Sequence, residues 1–337
     1  MKILVLGGTR FLGRHLVEAL LARDHEVTLF NRGRSAPGLF PQVEQLRGDR
    51  DGGLDALAGR RWDAVIDTCG YVPRVVRASC QALRAATDRY LFVSSISVYA
   101  DPGADGSPVV ESAPLAVLDD PTSEEVMAHY GALKAACERE VQAAFGEGAL
   151  VVRPGLIVGP FDPTGRFTYW PLRLAEGGEV LAPGDPQAPV QVIDVRDLAH
   201  WMVRALSRGA TGVFNATGPV NATTMEAVLA ACAHAVAPAG TRLTWCGEDF
   251  LLAQQVAPWT GLPLWLPAAD QGLNRASIQR ALDAGLTLQP LEATAADTLA
   301  WCRSSQYVAP TGTYAGVGIP RARESELLAL WRAAHPV

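Results

Sequence analysis

Residues 1–16 read MKILVLGGTRFLGRHL, and the fold follows from how this stretch is parsed. ILVL is a short apolar run stopped by Gly7 and Gly8, as expected of a strand buried on both faces of a parallel sheet. GRHLVEALLARDH, just beyond, puts Leu16, Leu20 and Leu21 on one helical face. Between the two, GGTRFLG holds Gly7 and Gly13 at the outer positions of a G-x-x-G-x-x-G frame, with Arg10 where a middle glycine is expected. Such a turn lets a pyrophosphate approach the backbone at a helix N-terminus. The frame alone also describes a bare structural turn. The strand before it, the helix after it and a second strand ending about twenty residues on point to a dinucleotide site.

The alternation continues. EVTLFNRG is a second strand and VEQLRGDR a short third. WDAVIDTCG and RYLFVSSISVY are two more apolar runs separated by the helical PRVVRASCQALRAA. SEEVMAHYGALKAACEREVQAAFGEG reads as a long helix with acidic residues in its first turn and glycines at its end, and ALVVRPG as the next strand. This βαβ order predicts an α/β protein, a Rossmann-type doubly wound parallel sheet. Beyond residue 155 the pattern breaks into loops, helices near 197–207 and 223–236, a strand candidate GVFNATG, and a tail rich in Trp, Pro and Leu. The expected organisation is a dinucleotide-binding domain over 1–155, rejoined by later elements from about 189–218. A smaller, interleaved substrate-binding region takes 156–188 and 219–337.

Composition narrows the function classes. Of 337 residues 49% are hydrophobic and 19% charged, and the net charge of −6 argues against a nucleic-acid surface. No segment reaches eighteen uninterrupted apolar residues and the N-terminus lacks a secretory cleavage pattern, so no membrane association is expected. The six cysteines are scattered without a CxxC pair, which predicts reduced thiols in a cytoplasmic protein and no metal. Of 29 basic residues only Lys2 and Lys134 are lysine. A lysine at a chemically meaningful spacing therefore stands out.

The second strand ends Phe30-Asn31-Arg32-Gly33-Arg34. A carboxylate at this end would bind a ribose 2′-hydroxyl and repel a 2′-phosphate, whereas arginine grips the phosphate. Arg32 and Arg34, together with Arg10, favour NADP(H) over NAD(H). The expected cofactor contacts are Gly7, Thr9, Arg10, Phe11, Leu12 and Gly13 in the first turn, then Asn31, Arg32 and Arg34. Asp49 and Arg50 follow in RGDRDG, with Asp49 a candidate for the adenine amino group.

Tyr130-Gly-Ala-Leu-Lys134 sets a phenol and an ammonium four residues apart on one helical face. A nearby ammonium favours the phenolate, so such a tyrosine can exchange a proton with a carbonyl or alcohol near neutral pH. Upstream, FVSSISVY ends a strand with hydroxyls, where an open α/β sheet binds its ligands.

These residues resemble the short-chain dehydrogenase/reductase superfamily, in particular its extended and atypical branch, the NAD-dependent epimerase/dehydratase family. VVRPGLIVGP and VQVIDVRDLAHWMVRAL look like later segments of the same branch. The resemblance implies that Tyr130 is the catalytic acid/base, that Lys134 binds the nicotinamide ribose and that Ser95 is the active-site hydroxyl. It implies that Thr68, Cys69 and Gly70 lie against the cofactor and Pro154 and Gly155 near the nicotinamide. It also implies a homodimer formed through two helices per subunit, one carrying Tyr130. Two departures stand out: Arg10 replaces the middle glycine, and Val190-Gln191 stands where nucleotide-sugar enzymes carry Arg-Asp. The missing arginine weakens a nucleotide-sugar substrate, with Arg166 or Arg173 as substitutes. Arg166, Tyr169 and Trp170 in TGRFTYWPLR are the candidate substrate contacts alongside Ser95, with core packing an equal alternative for the two aromatics.

The leading expectation is an NADP(H)-dependent oxidoreductase acting on a carbonyl or secondary alcohol of a small organic molecule. The alternatives are an epimerase or dehydratase acting on a sugar derivative, and a non-catalytic RNA-binding or regulatory protein on the same fold.

Overall fold

The computed structural model describes residues 1–101 and 106–335. They form two compact units. The first comprises Met1–Ile157, Val195–Thr217 and Arg275–Thr287, and the second Val158–Asp194, Gly218–Asn274 and Leu288–Val337.

The first unit is built on six strands met early in the chain: β1 (Lys2–Leu6), β2 (Glu26–Asn31), β3 (Glu44–Arg47), β4 (Ala64–Asp67), β5 (Tyr90–Val93) and β6 (Ala149–Pro154). With the strand Gly212–Ala216 they make a seven-stranded sheet, all pairs parallel, in the order Gly212–Ala216, β6, β5, β4, β1, β2, β3. The strand order reverses beside β1, so the crevice outside its carboxyl end is where a doubly wound sheet takes a ligand. Ile3, Leu4 and Val5 of β1 are fully buried, as the continuous apolar run requires of an inner strand. In β3, at the edge, Leu46 is the one apolar residue of four.

Helix α1 (Phe11–Leu21) follows β1, α2 (Pro73–Leu83) joins β4 to β5, and α3 (Val126–Phe145) joins β5 to β6. The acidic residues expected in the first turn of α3 precede it, because the helix starts only at Val126. His129 breaks its dihedrals (φ −125°, ψ 30°) one residue before Tyr130. The fifth strand is shorter than its apolar run. The Ser95 hydroxyl accepts from the Ser97 backbone N–H and turns the chain into a short 3-10 helix, Ile96–Val98.

The segment Arg275–Thr287 belongs to the first unit, although it lies in the stretch expected to bind substrate. The cause is non-local. The buried Asn215 amide donates to the carbonyls of Val109 and Ser277, and Val109 exchanges backbone hydrogen bonds with Arg275 and Ser277. Helix Val195–Ser207 packs on α1.

In the second unit, strands Glu179–Pro183 and Arg242–Cys246 pair in parallel, and helices Tyr169–Ala175, Met225–Val236 and Leu291–Cys302 pack together. Arg173 is buried in an ion pair with Glu324 at 2.7 Å and donates to the carbonyls of Gly177 and Glu179. Among the described residues no helix is long and apolar enough to cross a membrane.

Candidate active site

At the carboxyl end of β1, Gly7 and Gly8 take φ +100° and +86°, the left-handed region that side chains rarely enter. Space is as restrictive as conformation. A Cβ on Gly7 would lie 2.5 Å from Thr68 Oγ1, and one on Gly13 would lie 2.9 Å from the Gly8 Cα. The glycines thus press the turn against α1 and against the end of β4. Arg10 is the extended residue that opens α1, and its side chain makes no capping hydrogen bond. Thr9, Phe11 and Leu12 complete this turn and the start of the helix, whose amides point where a pyrophosphate would sit. The backbone-lined cradle fits a dinucleotide.

Asn31 organises the end of β2. Its Nδ2 donates to the Gly7 carbonyl at 3.3 Å, and its Oδ1 accepts from the Gly33 N–H at 2.8 Å and from Arg47 at 2.6 Å. Arg47 is the functional candidate that the sequence reading missed. It is the last residue of β3 and pairs in register with Asn31, which puts its guanidinium against Gly33. A basic residue closing a third strand was the available signal. Arg10, Arg32 and Arg34 are exposed. Arg32 approaches Asp49 at 4.0 Å, and the other Asp49 oxygen accepts from the Asp51 N–H within its turn.

Arg50 is paired within the fold. Expected at the cofactor, it is held in an ion pair with the buried Asp67. Its two terminal nitrogens donate to the two oxygens of Asp67 at 2.7 and 2.8 Å, and it also reaches Ser79 and the Cys69 sulfur. Asp67 is fully buried and accepts further from the Tyr90 hydroxyl at 2.9 Å and the Cys69 N–H at 3.0 Å. Burial pushes this carboxyl up, but the Arg50 guanidinium outweighs it and holds Asp67 below its usual range. A guanidinium neutralised in this way has little charge left for a phosphate. Its work is to fix the turn Thr68–Gly70.

In that turn Thr68 donates to the Leu6 carbonyl at 2.9 Å, and Gly70 packs where a Cβ would be 2.5 Å from the Phe92 ring. Burial pushes the Cys69 thiol up, the opposite of an activated nucleophile. At the end of β6, Pro154 closes the strand, and a Cβ on Gly155 would lie 2.3 Å from Thr217 Oγ1.

The chemistry-bearing groups meet around α3. Lys134 is buried and donates to the carbonyls of Gly70 at 2.7 Å and Val93 at 2.5 Å. Burial pulls its ammonium down to about 8, against the opposing pull of Cys137, Asp67 and Glu138. Tyr130 lies one turn earlier, with its ring 6.5 Å from that of Tyr71. Ser95 donates to Ser97 at 3.1 Å. Gly131 lets α3 come this close: a Cβ there would stand 2.0 Å from the Ser97 carbonyl oxygen. One helix is thereby pressed onto the serine turn beside its own tyrosine.

The three candidate substrate contacts lie in the second unit. Arg166 rests on the rings of Trp259 and Tyr314, at 5.0 and 5.6 Å. Tyr169 packs edge-on to Trp170 and against Gly318. Trp170 takes the core-packing alternative: it is fully buried and its indole donates to the Pro263 carbonyl at 2.8 Å. Gln191 is also buried, its side chain donating to the Gly218 carbonyl.

A glycine cradle at the switch point, a basic end to β2 and a Tyr-x-x-x-Lys helix against a serine turn together define the short-chain dehydrogenase/reductase class. Within it, the chain belongs to the NAD dependent epimerase/dehydratase family, whose model matches residues 3–72 and 63–217. The chain is 30% identical over 252 residues to the chloroplast stem-loop binding protein of 41 kDa b of Arabidopsis thaliana, covering 69% of this chain and 63% of that protein. It is 33% identical over 210 residues to 2'-dehydrokanamycin reductase of Streptomyces kanamyceticus, covering 60% and 53%. The chain thus spans between half and two thirds of the length of these two curated relatives. The crystal structure of Thermus thermophilus UDP-glucose 4-epimerase in complex with NAD superposes with a TM-score of 0.65 at 21% identity, covering 90% of this chain and all of that one, a likeness of fold.

Proposed function

We propose that the protein is an NADP(H)-dependent oxidoreductase that interconverts a carbonyl and a secondary alcohol on a small organic molecule. The observation that supports this reading is the packing of Gly131, next to Tyr130 on α3, against the Ser97 carbonyl of the turn that Ser95 caps. In this reading Tyr130 gives or takes the proton at its phenolic oxygen. Lys134, cationic below about 8, favours the phenolate and reaches toward the ribose. The Ser95 hydroxyl donates to the substrate oxygen and holds it for proton transfer. Gly7, Thr9, Phe11, Leu12 and Gly13 would hold the pyrophosphate, and Thr68, Cys69, Gly70, Pro154 and Gly155 the nicotinamide half. A bound nicotinamide dinucleotide supplies or accepts the hydride.

The phosphorylated cofactor is favoured because Arg10, Arg32, Arg34 and Arg47 supply cations at the adenosine end, with Asp49 against the adenine. The named reductase relative supports net reduction, and Val190-Gln191 in place of an arginine argues against a nucleotide sugar. A cytoplasmic homodimer belongs to the same reading. The stem-loop binding relative favours RNA binding as the second reading, which the net charge of −6 and the retained dyad oppose.

Thermal unfolding with each cofactor decides the question. NADPH at a hundred times its dissociation constant should stabilise the fold by about 2.7 kcal/mol, and Arg47→Ala should reduce the NADPH shift while leaving the NADH shift unchanged. A shift with NADH and none with NADPH refutes the preference. Binding of a stem-loop RNA at physiological salt, undiminished in Tyr130→Phe, with no shift from either cofactor would replace the enzyme reading.

A further inference from the structure

Tyr71 carries a role that neither the motif nor the family match assigns. It follows the turn Thr68–Gly70 and is 45% exposed. The Lys134 ammonium lies 5.2 Å from the centre of its ring and 4.3 Å from that of Phe92. The Tyr130 ring lies 6.5 Å from that of Tyr71, at an interplanar angle of 40°. The one ring thus touches both members of the dyad, and its neighbour Gly70 accepts from Lys134.

We propose that Tyr71 is a positioning residue: its ring face holds the Lys134 ammonium in its charged form and aims it at the Tyr130 phenol. The proposal rests on the oxidoreductase reading for its purpose, but not for its measurement.

The physical problem is that Lys134 carries a charge where water cannot reach it. Burial disfavours the ammonium. The charged and titratable groups that act on it most strongly are Cys137 and Glu138 from its own helix, Asp67 at the end of β4, and Arg50, which opposes the charge. Arg50 neutralises Asp67 at 2.7 Å and Arg153 pairs with Glu138 at 2.6 Å, so neither carboxylate is left to serve Lys134 alone. Two carbonyl dipoles and two ring faces add to their pull. An aromatic quadrupole attracts a desolvated cation strongly. Phe92 is locked in β5 and fully buried, whereas Tyr71 is the exposed face. Tyr71 is therefore the ring that a bound ligand can press onto the dyad.

With only two lysines in the chain, the charge of Lys134 can be read directly. The full chain, labelled with 13C at the lysine ε-carbon, gives two resonances, Lys2 and Lys134, whose pH titrations are followed by NMR. In Tyr71→Leu, which keeps apolar bulk and removes the ring, the Lys134 midpoint should fall by about 0.4 to 1.5 pH units. Tyr71→Phe, which keeps the ring, should leave the midpoint within about 0.2 units of the wild type, as rings of either kind hold a cation. An unchanged midpoint in Tyr71→Leu, with the Lys2 resonance and thermal unfolding intact, overturns the proposal. An equal fall in Tyr71→Phe also overturns it, because the hydroxyl and not the ring would then be the cause. Failure of the oxidoreductase reading appears separately, as an absent NADPH shift in a protein whose lysine still titrates as expected.

Discussion

Replacing Asp67 by Asn keeps the shape of the side chain and removes the charge that faces Arg50. Asp67 is fully buried and the Arg50 side chain is 12% exposed, so the guanidinium would be left nearly dry and uncompensated. Removing one partner of a buried pair typically costs about 3–5 kcal/mol. The contacts locate this substitution in that range. Oδ1 accepts from Arg50 and the Cys69 N–H, two fixed donors, while Oδ2 accepts from Arg50 and the Tyr90 hydroxyl. An amide nitrogen at the first position opposes two donors. At the second it opposes only Arg50, since the hydroxyl can rotate and accept. The second placement wins, and the loss should lie near the lower end, about 3 kcal/mol.

Urea unfolding at pH 7 of the wild type, Asp67→Asn, Arg50→Met and the double variant measures the loss. The double variant should recover at least about 2 kcal/mol of the sum of the single losses, since removing both charges leaves neither stranded. The pH dependence has a definite sign. A folded carboxyl held below its ordinary value of 3.8 stabilises the protein above that pH and loses the contribution as pH falls through the lower folded value. That part of the acid limb should vanish in Asp67→Asn. A single-variant loss under about 1 kcal/mol, or strictly additive losses, would refute the assignment of Arg50 to the interior.

Gly131→Ala should gain up to about 1 kcal/mol of helix propensity yet impair turnover. Moving a Cβ from 2.0 Å to an acceptable distance from the Ser97 oxygen displaces α3 by about 1 Å, enough to lower kcat/KM roughly 100-fold on whichever carbonyl supports NADPH oxidation. Unimpaired turnover would mean that the tyrosine does not depend on this contact. Lys134→Met should change alkaline stability. With the folded ammonium pulled to about 8 from an ordinary 10.5, the unfolded state binds more protons between those values, so wild-type stability rises with pH there by about 1.4 kcal/mol per unit. Urea unfolding at pH 8 and pH 10 should show the rise in the wild type and its loss in the variant, and parallel curves would contradict the burial of a charged Lys134.

Local patterns carried most of the fold and the names of most candidate residues. The apolar runs of β1, β4, β5 and β6 are legible because an inner parallel strand must be continuous in hydrophobic residues. The dyad is legible because four residues make one helical turn, and the dinucleotide turn because glycine alone tolerates its dihedrals and contacts. The short β5 followed by a serine-capped 3-10 turn was less so, since the same apolar residues continue past the strand end.

The sequence by itself thus determined the sheet, its helices and the spacing of phenol and ammonium, all of which depend on neighbours along the chain. Tertiary structure alone decided which charges are available. Arg50 finds Asp67 across 17 residues and is paired there. Arg47 reaches Asn31 only because β3 pairs beside β2. Trp170 is withdrawn into a core, and Tyr71 is brought over Lys134, 63 positions further along the chain. A side chain's type is fixed by its codon, but its electrostatic partner is fixed by strand order and crossover. No periodicity along the chain records these.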